Sequence, residues 1–94
     1  MTPENKNFVE ECADLAKRFT ALYEGCVGLV SIDSIVERPS VHLPAVHLTS
    51  DYFLNCFGDS FEAVDRKDSQ FPWKLVHMEN GVQFFCITDR NPKA

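Results

Sequence analysis

The chain has 94 residues, 45% of them hydrophobic, with eight Phe, one Trp and a formal charge of −5 at pH 7. That length fits one domain with a thin core, 1–94, and the apolar content excludes wholesale disorder. Fourteen Asp and Glu against nine Lys and Arg exclude a nucleic-acid backbone as the direct partner, because phosphates would be repelled.

From residue 3 to 24, Phe8, Cys12, Leu15, Phe19, Leu22 and Cys26 alternate spacings of four and three, flanked by Val9, Ala16 and Tyr23. This spacing predicts an amphipathic helix. Thr2 suits its cap, Pro3 its first position and Gly25 a left-handed terminating position. Asp14 and Arg18 stand four apart on its outer face. Such a seam can pair helices in a coiled coil. About three heptads beside a second apolar row more often face their own core, so the helix is expected to lie on a sheet built by the rest of the chain.

Val27–Ile32, Ile35–Glu37 and Ser40–Leu48 are short β-branched, apolar bursts broken by Pro39 and Pro44, which predicts edge strands or extended loops. Thr49, Ser50 or Asp51 can cap a second helix of about two turns through Phe53, Cys56 and Phe57, with Gly58 to stop it. Phe61–Arg66 reads as a strand before a Lys67-Asp68-Ser69 turn.

The strongest β signal is Trp73–Glu79 and Val82–Thr88 on either side of Asn80-Gly81, the dipeptide favoured in a two-residue type I′ hairpin. The implied register puts Trp73, Leu75, His77, Phe84, Cys86 and Thr88 on one side. Lys74, Val76, Met78, Gln83, Phe85 and Ile87 take the other. Both sides are largely apolar, so each needs a cover; the long helix is expected to supply one. Residues 91–94 should fray. The expected fold is α+β: a long N-terminal helix packed on a small antiparallel sheet of three to five strands, with a second short helix.

Little in the sequence carries chemistry. Cys12, Cys26, Cys56 and Cys86 are widely spaced behind no secretory pattern, which suits free thiols in a reducing, cytoplasmic setting rather than disulfides. Zinc-type Cys and His spacings are missing, and His42 and His47 fall on opposite faces of an unbroken strand, so neither metal nor cofactor is expected. The nearest approach to a nucleophile and base is His77 diagonal to Cys86, but the apolar run Phe84-Phe85-Cys86-Ile87 reads as core. No run of about 18 apolar residues is present, so no membrane partner is expected.

His47-Leu48-Thr49-Ser50-Asp51-Tyr52-Phe53-Leu54 with Phe57-Gly58, then Asp65-Arg66, Phe71-Pro72-Trp73-Lys74-Leu75, and Asn80-Gly81-Val82 with Phe84-Phe85, resemble accessory proteins of prophages in Gram-positive bacteria. The resemblance covers under half the chain and rests on packing residues. It implies a small phage-encoded protein that acts by binding, for instance by inhibiting a host enzyme or defence complex.

The sequence therefore reads as a non-enzymatic protein-binding module, with a host protein or a second copy in a homodimer as partner. Phe71, Trp73, His77 and Phe84 are the candidate protein-contact residues, Trp73 being the anchor. The alternative is a small-molecule-binding or enzymatic domain of cystatin-like or nuclear-transport-factor-like type, with a pocket between helix and sheet.

Overall fold

The computed structural model describes residues 2–39 and 41–93. Among them are two helices and five strands: α1 Pro3–Gly25, β1 Leu29–Arg38, β2 Val41–Leu48, α2 Ser50–Phe57, β3 Glu62–Asp65, β4 Trp73–Glu79 and β5 Val82–Thr88. The class is the α+β expected, with one five-stranded sheet in the order β1-β2-β5-β4-β3.

The β4–β5 hairpin has the register read from the sequence, from Glu79 opposite Val82 to Trp73 opposite Thr88. Asn80 and Gly81 have φ of 52° and 75°, the left-handed pair that a type I′ turn requires. β3 extends the meander, with Ala63 opposite Leu75. β1 and β2 form a second antiparallel hairpin with register shifts near both ends.

The two hairpins meet through a parallel pairing of β2 with β5, in which Ala45, Val46 and His47 face Gln83, Phe84 and Phe85. Pro44 lies one residue before β2 acquires this second neighbour, so its missing N–H removes no bond from the doubly flanked part of the sheet. Toward Val36 and His42, β1 and β2 continue as a two-stranded ribbon.

One face of the sheet is closed by α2. The Thr49 hydroxyl accepts from the Tyr52 N–H at 3.4 Å at its start, and the Gly58 N–H donates to the Leu54 carbonyl at 2.8 Å at its end. Phe53 is fully buried, edge-on to Phe57 and Phe61 at 5.0 and 6.0 Å, over Leu29, Leu48, Leu75 and Cys86. Each such side chain contributes roughly 1.5–3 kcal/mol by leaving water. Gly28 ties β1 to this helix: its carbonyl accepts the Thr49 N–H at 2.8 Å. A Cβ at Gly28 would lie 2.2 Å from the Tyr52 ring, so no larger residue fits without displacement.

Four expectations are corrected. β2, expected as an edge strand or extended loop, is an inner strand between β1 and β5, because Pro44 falls just outside the stretch paired with β5. α1 does not pack down on the sheet: it buries none of its residues, with Phe8 67% exposed and Leu15 and Leu22 each 54%. The radius of gyration is 16.1 Å, against about 12 Å for a compact chain of this length. The physical reason is that α2 takes the sheet face of Leu48, Leu75 and Cys86, so α1 approaches only by its C-terminal half, at open hollows beside Tyr52 and Ile32. Gly25 is the last helical residue rather than a left-handed cap; extended Cys26, with φ −135°, ends the helix. Residues 91–93, expected to fray, are tied back to the domain: the Lys93 ammonium donates to the Phe61 carbonyl at 2.6 Å and sits 4.3 Å above that ring, while position 94 lies outside the described residues.

Candidate contact surfaces

Among the described residues two apolar surfaces lack a cover. The first is the sheet face opposite α2, where the register gathers Ile35, Leu43, Val76, Phe85 and Ile87. His47 stacks on Phe85 with centroids 4.6 Å apart, and the Lys74 ammonium lies 4.7 Å from the same ring. Burial pulls the His47 pKa below its ordinary value, with Lys74 adding to the shift and Asp33 opposing it. Lys74 is lowered too, first by burial and then by Arg66. Both shifts have the same first cause, the apolar surroundings that His47 and Lys74 share against Phe85.

The second is the seam of α1. Phe8, Leu15, Phe19 and Leu22 are all substantially exposed, beside Val9 and Tyr23 on the adjoining row. The Phe19 and Tyr23 rings touch at 5.8 Å. Where the helix nears the domain, Leu22 and Cys26 face Val46, Leu48, Tyr52 and Phe84 across an apolar groove of 240 Å³. Leu15, Arg18, Phe19 and Leu22 border a second open hollow with Ile32.

The four contact residues expected from the sequence are not assembled into one open patch. Phe71 alone is well exposed, in the loop before β4, where its carbonyl accepts from Arg66 Nη1 at 2.8 Å. Trp73 and Phe84 lean half-buried on the core beneath α2. The His77 ring stacks on Phe57 at 4.1 Å, its Nδ1–H donates to the Ser60 carbonyl at 2.6 Å, and its Nε2 lies 3.5 Å from Glu79. His77 thus ties β4 to the segment after α2. The open seam on α1 carried a clear signal, the four-three spacing, which sequence reasoning had assigned to the core.

No catalytic pairing emerges from the two residues that came nearest to one. Burial pushes the Cys86 thiol up to about 11, which keeps it protonated, and the δ nitrogen of His77 is engaged by Ser60. His42 and His47 lie five apart on a continuous ladder and point to opposite faces. Among the described residues no group of three His, Cys, Asp or Glu is placed to hold a metal ion, and no helix is long and apolar enough to cross a membrane. No protein-family model, curated protein or solved structure matches this chain.

Proposed function

We propose that the chain is a non-enzymatic protein-contact module, with α1 as the contact arm and the α2-bearing sheet as the base that presents it. One observation carries this reading: a 23-residue helix buries none of its residues, and Phe8, Leu15 and Leu22 on its apolar seam are each more than half exposed. A helix gains most of its stability by packing an apolar face, so this one is built for a surface that its own domain does not provide. The resemblance to prophage accessory proteins points the same way, toward a phage-encoded protein that works by occupying a host protein. Its four thiols are free in the fold, which suits a reducing compartment.

Among the described residues the small-molecule alternative finds no enclosed pocket with convergent polar groups between helix and sheet. The apolar groove between helix and sheet holds 240 Å³, under the roughly 300–1,000 Å³ of ordinary ligand pockets; the hollow beside Ile32 reaches 370 Å³ but lies open on the surface, and His77 lines neither. A photo-crosslinking amino acid at Phe8 of the full chain tests the contact reading in cells of the source organism. A protein adduct, to another chain or to a second copy, is the expected product; the absence of any protein adduct contradicts the reading.

A further inference from the structure

We propose that α1 pairs antiparallel with α1 of a second copy, in the register that sets Glu11 of each copy against Arg18 of the other. This names the partner of the contact arm and rests on the contact reading above. The spacing Phe8, Cys12, Leu15, Phe19, Leu22 assigns two alternating sets of seam positions: Phe8, Leu15 and Leu22 in one, Asn5, Cys12 and Phe19 in the other. Antiparallel pairing stacks one set on the other. With Phe8 opposite Phe19 and Cys12 opposite Leu15, the two helices overlap over nearly their whole 23 residues and the end layers join Leu22 to Asn5.

Charge and overlap together select this register. Glu4, Glu11 and Arg18 recur every seven residues along one flank of the seam, while Val9, Ala16 and Tyr23 form the other. In the stated register Glu11 meets Arg18 twice by symmetry, and Val9 meets Ala16 on the opposite flank. A slip of one heptad in one direction brings Arg18 onto Arg18; in the other it sets Glu4 against Arg18 but brings Glu11 onto Glu11 and leaves Phe19 and Leu22 with no layer to join. Parallel pairing places Glu11 beside Ala16 and Arg18 beside Tyr23, with no ion pair, and sets Cys12 on Cys12. Among the described residues neither Glu11 nor Arg18 is engaged in an ion pair, so both are free to make these.

The area fits a weak dimer. The exposed parts of Phe8, Val9, Leu15, Phe19, Leu22 and Tyr23 leave on the order of 500 Å² of apolar surface on each helix, so a pair covers about 1,000 Å², the floor for a specific interface. An area at that floor belongs with weak, transient contacts, which sets the concentration range of the test. Oppositely directed helix dipoles favour the same orientation.

Sedimentation equilibrium of the full chain from micromolar to several hundred micromolar tests the proposal. The expected result is a monomer–dimer equilibrium that Glu11→Arg or Arg18→Glu each weakens by roughly tenfold, since each turns two attractions into repulsions. The double exchange E11R/R18E restores it. Mild oxidation of L15C should link that position to Cys12 of the second copy. A monomer throughout, a double exchange as weak as its parents, or a Cys12–Cys12 link in the unsubstituted chain would each overturn the pairing. Circular dichroism melts guard against misfolding, because α1 buries nothing and its variants should leave the sheet domain intact. If the chain is monomeric while the probe at Phe8 labels a different protein, the antiparallel pairing falls and the contact function stands; no adduct of any kind removes both.

Discussion

The two helices carry the same kind of apolar pattern and meet opposite fates. α2, with eight residues, buries Phe53 completely, whereas α1, with 23, buries none. Periodicity says that a helix needs an apolar surface, but not whose. Placement depends on what already fills the sheet and on how the chain enters it. α2 is fastened at both ends, by the Thr49 cap and by the Gly58 bond to Leu54, directly between two paired strands. α1 is joined by the short Cys26–Gly28 link, and only its last turn reaches the groove.

The largest expected effect separates the two helices directly. Phe53→Ala should cost about 3–5 kcal/mol and leave a domain this thin close to unfolding, as read by urea denaturation. Gly28→Ala should cost about 1–3 kcal/mol, because the new Cβ drives into Tyr52 and disturbs the junction of β1 with α2. A midpoint unchanged by Gly28→Ala would mean that the contact with Tyr52 yields freely.

A smaller effect probes the open sheet face. His47 has a folded pKa below its ordinary 6.5, so the unfolded chain takes up the proton first. Its contribution to stability is complete above 6.5 and lost as pH falls through that value toward the lowered one. Thermal midpoints should therefore decline slightly in this window, above the region near 4 where carboxylates titrate, and His47→Gln should flatten the decline. Equal slopes in the two proteins would show that burial against Phe85 does not govern this ring. Smallest of all, Phe8→Ser should leave the midpoint of a dilute sample within about 0.5 kcal/mol of the parent, since the side chain packs against nothing in its own domain.

Legibility tracked locality. The β4–β5 hairpin was readable to the residue because Asn80-Gly81 encodes both turn and register within two positions. α2 was readable from Thr49 and the spacing of Phe53, Cys56 and Phe57. β1 was expected in pieces, since Asp33-Ser34 looked like a break, yet one ten-residue strand runs through them with the Ser31 hydroxyl bonded to Asp33 at 2.8 Å. The parallel join of β2 to β5 spans three residues on each side and leaves no local trace. The four expected contact residues stand apart for a related reason. Aromatic density drew attention to Trp73, His77 and Phe84, which the β2–β5 join and α2 together draw toward the core, while the exposed seam lay in the segment assigned to it.

Amide hydrogen exchange of the full chain, followed by mass spectrometry over a wide concentration range, tests the central claim most directly. The expected outcome is fast exchange along Pro3–Gly25 in dilute solution that slows as concentration rises, with β4 and β5 protected throughout. Protection of that helix equal to the hairpin's at the lowest concentration would show it packed on its own domain, and would contradict the open seam on which the functional reading depends.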